Sequence, residues 1–319
     1  MKKPSIAILG CVGIPAKYGG FETLAENLAK FSEKNNLNVN LSIYCSSPFY
    51  KKKILSIFNS KLIYLPIHAN GVQSILYDGV SLFHAILKKP DKILLLGVSG
   101  AIFLPVIQRL SNCQIIVNVD GIEWKREKWK GFAKKFLKFS EVCAMKNANT
   151  IIADNEEIKN YLVKNYNRKV NVITYGGDHA LDIGTATTPP TCEQNEKLIS
   201  SLPNHFSLGL CRIEPENNIK MILKAYASLP KNNLVFVGNW NNSEYGKNLQ
   251  KKYNNYRNLT LINPIYDTVS LFKLRKRARS YVHGHSAGGT NPSLVEMMHF
   301  GIPIYAFDCK FNRATTMET

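Results

Sequence analysis

The sequence is poor in acidic residues and has no ordered cysteine pattern. Its 319 residues include 23 Asp and Glu against 41 Lys and Arg, which gives a formal net charge of +18. None of the seven Cys belongs to a Cys-x-x-Cys pair, so the spacing that marks a zinc site or a redox pair is missing. Scattered thiols of odd number, with Cys11, Cys45 and Cys211 at predicted strand ends, favour a reduced, cytoplasmic protein over a disulfide framework.

Long apolar runs are also absent. No segment reaches the roughly 18 apolar residues that a membrane-spanning helix needs. Residues 6–14 are apolar and follow two lysines, as in a signal peptide, but the run is short and no small-residue cleavage site follows it. We therefore expect no membrane span, and any attachment to a membrane would be peripheral.

Two common phosphate-binding motifs do not occur. The first predicted strand is followed by Gly10-x-x-Gly13, which lacks the spacing of the dinucleotide fingerprint, and there is no Gly-x-x-x-x-Gly-Lys sequence. A basic chain can serve nucleic acid, an anionic membrane or a phosphate-bearing substrate, and charge alone does not choose among them. Because no nucleic-acid-binding module is present, we expect no nucleic-acid partner.

The apolar segments alternate between strand-like and helix-like patterns in both halves of the chain. Strands are predicted at residues 6–11, 38–45, 61–66, 93–96, 114–119, 150–153, 170–174, 206–211, 234–237, 259–262, 280–282 and 303–306. Helices are predicted at residues 21–32, 101–110, 129–146, 156–165, 219–229, 245–252, 268–276 and 292–300. This alternation implies α/β domains with parallel sheets and helices on both faces. We predict two doubly wound domains, residues 1–178 and 204–319, with a linker at residues 179–203.

Residues 283–296, His-Gly-His-Ser-Ala-Gly-Gly-Thr-Asn-Pro-Ser-Leu-Val-Glu, join a predicted strand to a predicted helix. Asn291 suits the N-cap and Pro292 the first helical position. The free N–H groups of that helix end would attract a diphosphate. Glu296 lies four residues past Pro292, about 6 Å along the axis, where it could hold a ribose hydroxyl. The alternative is a plain strand–turn–helix joint with a solvated Glu.

This stretch resembles the donor-binding motif of the GT-B glycosyltransferases, retaining enzymes that use nucleotide sugars. Residues 288–296, Gly-Gly-Thr-Asn-Pro-Ser-Leu-Val-Glu, resemble in particular a rhamnosyltransferase-like branch of surface-polysaccharide biosynthesis. Gly-Ile-Pro-Ala-Lys-Tyr-Gly-Gly-Phe-Glu-Thr at 13–23 and Val-Asp-Gly-Ile-Glu-Trp-Lys-Arg at 119–126 resemble the same branch. The wider family has two Glu eight residues apart; Glu296 matches the second, but position 288 is Gly. Backbone groups would have to replace the first.

The resemblance implies two Rossmann-like domains facing a cleft, with a sugar moved from a nucleotide diphosphate donor to a lipid-linked saccharide acceptor. The sugar would be a hexose such as rhamnose, transferred with retention by a front-face route without a protein nucleophile. No Asp-x-Asp occurs, which argues against the architecture that holds its nucleotide through a metal, so we expect a metal-independent hexosyltransferase without a cofactor. A nucleotide-sugar epimerase of the same fold and an inactive sugar-nucleotide-binding protein are the alternatives.

Arg212 ends a predicted strand and would grip the donor diphosphate, since a guanidinium can bond two phosphate oxygens. Relatives pair this Arg with a Lys at the position of Asn217. The alternative is a surface Arg that pairs with Glu214 or Glu216. The predicted donor-binding residues are Gly19, Gly20, Arg212, Asn217, Gly289, Thr290, Asn291 and Glu296.

Asp120 ends another predicted strand, where it could orient or deprotonate an acceptor hydroxyl. The alternative is an Asp that bonds its own turn. Asp120 and Arg212 are thus the predicted catalytic residues. The predicted acceptor-binding residues are Tyr18, Phe21, Glu22, Trp124 and Arg126. His283 and His285 would lie on one strand face, but no third metal ligand is evident, so we predict a structural or sugar-contact role and no metal.

The predicted helix 129–146 is basic and amphipathic. We expect its apolar stripe to be core and its lysines to be solvated. A contact with an anionic membrane is the alternative, which would place the protein on the inner face of the plasma membrane. After the last predicted strand only residues 307–319 follow. Because relatives continue with another strand and helices, we expect a truncated second domain.

Overall fold

The computed structural model describes residues 3–16, 19–71, 73–119, 121–125, 129–182 and 193–317. The chain divides into two compact units, Met1–Thr174 and Tyr175–Thr319. Each unit has its own sheet with helices on both faces, which confirms the predicted α/β class. None of the helices in the described part combines the length and apolar character that crossing a membrane requires.

The first unit is built on an eight-stranded sheet. Its strands are β1 (Ser5–Leu9), β2 (Asn40–Ser46), β3 (Ser56–Ile57), β4 (Ser60–Leu65), β5 (Lys92–Leu96), β6 (Gln114–Val119), β7 (Thr150–Ala153) and β8 (Asn171–Val172). Its helices are α1 (Gly20–Lys34), α2 (Gln73–Leu87), α3 (Leu104–Leu110), α4 (Gly131–Asn147) and α5 (Glu156–Tyr166). The spatial order is β3-β4-β2-β1-β5-β6-β7-β8. All neighbours are parallel except the short hairpin of β3 and β4.

The second unit has five parallel strands. They are β9 (Ser207–Leu210), β10 (Leu234–Val237), β11 (Leu259–Ile262), β12 (Ser280–His283) and β13 (Ile304–Ala306), in the order β11-β10-β9-β12-β13. The helices are α6 (Glu193–Ser201), α7 (Ile219–Ala227), α8 (Glu244–Tyr253), α9 (Thr268–Arg277), α10 (Pro292–Met298) and α11 (Lys310–Thr316). One core packs α7 and α8 on the sheet, and another packs α6, α9 and α10 on it.

Both sheets reverse their strand order beside the first strand of the unit. In the first unit this switch point lies between β1 and β5, and in the second between β9 and β12. Ligands of open α/β sheets bind outside the carboxyl ends of the strands at such a point. The loops that follow these four strands are therefore where functional residues are expected.

The structure differs from the predicted elements in several places, among them the short strand β3 and the helix α11, neither of which was predicted. α2 was not predicted because apolar side chains surround it on nearly every side, which hides the helical period. Ser99–Phe103 forms a 3-10 helix ahead of the shorter α3. The predicted linker contains a 3-10 helix at Asp178–Leu181 and also α6, whose Ile199 is buried in the core of the second unit.

Gly10 provides a test of the first switch point. Its φ is +87°, and a Cβ there would lie 2.1 Å from the backbone oxygen of Leu96 on β5. Gly71 has a φ of +69° but open space around it. Gly10→Ala should lower the free energy of unfolding by about 3 kcal/mol or more, because it adds a backbone clash to the left-handed strain. Gly71→Ala should lose only about 1 kcal/mol. Equal losses in urea unfolding would contradict the close approach.

Candidate functional site

Two loops meet at the switch point of the second unit. One follows β9 and spans residues 211–218; the other follows β12 and spans residues 284–291. The backbone N–H and Oγ of Ser286 donate to the carbonyl of Glu216 at 3.0 and 2.8 Å. Asn218 Nδ2 donates to the carbonyl of Gly284 at 2.9 Å. These bonds fix the two loops against each other at the carboxyl edge of the sheet.

Asn217 is the centre of this junction. It is buried, its Nδ2 donates to the carbonyl of Arg212 at 2.7 Å, and its Oδ1 lies 2.6 Å from Nδ1 of His285. Because the amide nitrogen is used as a donor, Oδ1 must accept, and His285 carries its proton on Nδ1. The prediction that Asn217 contacts the donor is therefore corrected: its polar atoms shape the turn that carries Arg212.

Arg212 is exposed near the start of the loop that follows β9. The predicted alternative, a pair with Glu214 or Glu216, is not formed: across the described ranges Arg212 has no ion pair. The switch point therefore presents a guanidinium that can bond an anion through two parallel N–H groups.

Glu296 lies on α10 and is nearly buried. Its Oε1 accepts from His179 Nε2 at 3.0 Å, and its Oε2 accepts from Nη2 of the buried Arg275 on α9. Burial would raise the pKa of Glu296, but the hydrogen bond from His179 and the charge of Arg275 outweigh it and hold that pKa below its usual value. Glu296 is thus ionised and fixed, and the alternative of a solvated Glu is wrong.

The start of α10 follows the predicted capping pattern. Asn291 is the N-cap, and its Oδ1 accepts from the N–H of Ser293 at 3.0 Å and from its Oγ at 2.7 Å. Pro292 is the first helical residue. The helix is only seven residues long, and one of its free N–H groups is already capped, which weakens the predicted attraction for a diphosphate. Gly288 turns the chain with a φ of +108°, and Gly289 and Thr290 are buried behind the turn.

His283 is the last residue of β12 and His285 lies two residues beyond it, with ring centroids 6.0 Å apart. Burial lowers the pKa of His283 to about 4, so its imidazole is neutral. Its Nε2 has no hydrogen-bond partner in the described residues. Within the described ranges no group of three His, Cys, Asp or Glu side chains could hold a metal ion.

The loop after β1 in the first unit is fixed by its own helix. Glu22 on α1 is buried, and its Oε1 accepts from the N–H of Val12 at 2.7 Å. Glu26, one turn later, accepts from the N–H of Ala16 at 2.5 Å. The predicted acceptor contact of Glu22 is therefore corrected to a role in holding this loop.

Four other predicted residues of the first unit lie at the start of α1 or in the segment that follows β6. Gly19 has a φ of +93°, and Gly20 begins α1. Phe21 packs against the core, with its ring 3.3 Å from where a Cβ of Gly97 would stand. Trp124 follows β6 and lies near three lysine ammonium groups. Tyr18, Asp120 and Arg126 lie outside the described residues, so their predicted roles remain predictions.

Two residues of the site were not predicted. His179 lies in the segment predicted as a linker, and Arg275 lies in a basic run that reads as solvated surface. Each meets Glu296 only through the fold, because they are 117 and 21 residues away from it. No local pattern marks either residue.

Comparison with known proteins identifies both parts of the chain. Residues 3–178, more than half of the sequence, match the family described as "Domain of unknown function (DUF1972)". The chain belongs to this family. Residues 193–316, most of the second unit, match the family described as "Glycosyl transferases group 1". No curated protein matches the sequence.

Solved structures of low sequence identity share the fold. Sucrose-phosphate synthase from Thermosynechococcus elongatus gives a TM-score of 0.75 at 15% identity, over 95% of this chain and 81% of that one. HepE from Anabaena in complex with UDP gives 0.64 at 15%, over 99% and 82%. A putative UDP-N-acetylglucosamine 2-epimerase from Listeria monocytogenes gives 0.62 at 12%, over 100% and 82%. These similarities confirm the predicted two-domain GT-B fold.

The contacts of Glu296 can be tested by a double-mutant cycle. Glu296→Gln should lower the free energy of unfolding by about 3–5 kcal/mol, because it leaves the charge of Arg275 buried without its partner. Adding Arg275→Met should restore much of that loss. Additive losses in the double variant would contradict the coupling.

The effect of Glu296→Gln on the free energy of unfolding should depend on pH. Because the pKa of Glu296 is lowered by folding, its contribution is present above the ordinary Glu value of 4.5 and is lost as the pH falls through the folded pKa. The difference in unfolding free energy between the parent and Glu296→Gln should therefore narrow below pH 4.5. A constant difference would show that ionisation plays no part.

Proposed function

We propose that this protein transfers a sugar from a nucleotide diphosphate donor, bound at the switch point between β9 and β12, to a saccharide acceptor. The proposal rests on two residues at one switch point. Arg212 is exposed in the loop after β9, and Glu296 is ionised on α10. Both lie within the residues that match the glycosyl transferases group 1 family. The UDP complex of the Anabaena relative supports a nucleotide as the ligand of this fold.

Arg212 suits the diphosphate of such a donor, and Glu296 suits the pentose beside it. The diphosphate gains negative charge as the glycosidic bond breaks, and a guanidinium placed beside it stabilises that charge. Glu296 accepts one hydrogen bond on each oxygen within the protein. Each carboxylate oxygen can accept another, so the 3′-hydroxyl of the nucleoside can be bound without displacing His179 or Arg275.

The resemblance of residues 288–296 supports the finer assignment. In this proposal the donor is a deoxythymidine diphosphate hexose such as dTDP-rhamnose, the linkage is formed with retention, and the acceptor is a lipid-linked saccharide. Asp120 orients the acceptor hydroxyl, whose proton passes to the departing diphosphate as the acceptor oxygen bonds to the sugar. Arg212 and backbone N–H groups neutralise the leaving diphosphate, so the reaction needs neither a metal ion nor a cofactor.

A nucleotide-sugar epimerase is the second candidate. The fold similarity to the Listeria epimerase favours it. The two functions differ in their need for an acceptor: an epimerase converts the donor alone, whereas a transferase releases nucleotide diphosphate and extends the acceptor.

Donor binding depends on Arg212 in this proposal. Arg212→Met should weaken the affinity for the nucleoside diphosphate by about 10- to 100-fold, the scale of a charge-assisted hydrogen bond. Arg257 is also exposed but lies two residues before β11, at the amino ends of the strands, so Arg257→Met is the matched control. Titration calorimetry with a panel of nucleoside diphosphates measures both. Equal affinities of the two variants for a nucleotide that the parent binds would exclude the assigned site.

Metal independence is tested in the transfer reaction itself. Mass spectrometry of a lipid-linked saccharide incubated with a panel of nucleotide sugars should show the acceptor extended by one sugar in the presence of EDTA. The expected rate is the same with and without the chelator, since positive charge is supplied by the protein. Activity that is lost in EDTA and restored by Mn²⁺ would contradict this mechanism. Conversion of the donor without acceptor would favour the epimerase.

A further inference from the structure

Three neighbouring helices of the first unit form one surface, which we call the α2–α4 face. Right-handed crossovers place α2, α3 and α4 on the same side of the sheet. The segment Ser99–Phe103 and α3 pack against α2 on one side and against α4 on the other. The rings of Phe83 and Phe103 meet edge to face at 6.1 Å, and the N–H of Ile102 donates to Ser140 Oγ at 3.1 Å. The three helices are thus one packed layer.

The α2–α4 face exposes large apolar side chains on every helix. Phe132 is 82% exposed and Leu87 is 77% exposed. The full set is Leu76, Val80, Phe83 and Leu87 on α2, Val106 and Leu110 on α3, and Phe132 and Phe139 on α4. The four positions on α2 recur at intervals of three and four, so they form a stripe of their own. A patch of this extent marks an interaction surface.

The exposed charges of this face are all positive. The only carboxylates on the three helices are Asp78 and Glu141, and both are buried. Burial raises the pKa of Asp78 to about 7. Glu141 accepts from the hydroxyls of Tyr161 at 2.8 Å and Tyr166 at 2.6 Å. Among the described residues, the exposed charged side chains on the three helices or within two residues of them are Lys88, Lys89, Arg109, Lys130, Lys134, Lys135, Lys138 and Lys146.

Lysines gather at one end of the face around Trp124. The ammonium groups of Lys125, Lys134 and Lys138 lie 5.5, 5.7 and 5.0 Å from the centre of the Trp124 ring system. Like charges brought this close repel one another, and an anion that binds among them relieves the repulsion. The first unit as a whole holds 25 of the 41 Lys and Arg but only 12 of the 23 Asp and Glu.

We propose that the α2–α4 face docks onto a membrane of anionic phospholipids. The exposed Phe and Leu side chains enter the boundary between headgroups and acyl chains, and the lysines bind the lipid phosphates. A second copy of the chain does not fit, because self-pairing would set one basic face against another. The prediction that the apolar stripe of helix 129–146 is core is corrected in part: Cys143 is buried, but Phe132 and Phe139 are exposed. Docking here would bring a lipid-linked acceptor to the protein, yet it does not rest on the proposed reaction.

Flotation of the full chain with lipid vesicles tests the proposal. We expect binding to vesicles that contain phosphatidylglycerol, and little binding to phosphatidylcholine alone. Phe132→Ser with Phe139→Ser, and separately Lys135→Glu with Lys138→Glu, should each weaken that binding by about tenfold or more. The controls are Met221→Ser and Lys220→Glu with Lys224→Glu on α7, which change exposed residues of the second unit and should bind like the parent.

Two results would overturn the proposal. The first is equal binding of all variants, or no binding of the parent, to vesicles containing phosphatidylglycerol. The second is a dimer in analytical ultracentrifugation that the Phe132→Ser and Phe139→Ser variant loses, which would assign the face to a second copy. Melting curves show whether each variant is folded. Because flotation uses no sugar donor, failure here leaves the proposed transferase function untouched.

Discussion

The carboxylate of Glu296, bonded on one oxygen by Arg275 and on the other by His179, is the interaction on which the candidate site depends. It joins α9, α10 and the segment Asp178–Leu181 in one place. Gly177 makes the same approach possible from the backbone side, since a Cβ there would lie 2.5 Å from the carbonyl of Val295. A buried charge tolerates this environment only because it is paired and hydrogen-bonded. The fold therefore keeps the Glu296 carboxylate ionised before a ligand arrives, so it can accept a hydrogen bond from a pentose hydroxyl.

The two units share one kind of sheet topology, but different side chains lie at their switch points. Each reverses its strand order beside its first strand, and each uses glycines to bring a loop close to the neighbouring strand. At the switch point of the first unit the carboxylates of Glu22 and Glu26 accept hydrogen bonds from backbone N–H groups. At that of the second unit Arg212 remains open to an anion. The net charge is distributed the other way, because the first unit carries most of the excess of Lys and Arg over Asp and Glu.

The fold was largely predictable because its strands are short apolar segments between polar loops. The strands Gln114–Val119, Thr150–Ala153, Leu234–Val237 and Leu259–Ile262 agree with prediction residue for residue. The cap at Asn291 followed from residue type alone. The helix α2 was not predicted because it is apolar on its exposed side as well. The helix α6 was not predicted because the sequence around it is rich in Gly, Thr and Pro. His179 and Arg275 could not be predicted, since their partner is distant in sequence and a paired Arg looks like a surface Arg until the fold buries it.

The central claim is that one bound nucleotide sugar spans Arg212 and Glu296, and a crystal structure of the complex tests it most directly. The account predicts the diphosphate beside the Arg212 guanidinium, and the 3′-hydroxyl of the nucleoside on Glu296 while His179 and Arg275 keep their bonds to the same carboxylate. A nucleotide bound elsewhere on the second unit, or one that breaks the Arg275–Glu296 pair to enter, would contradict it.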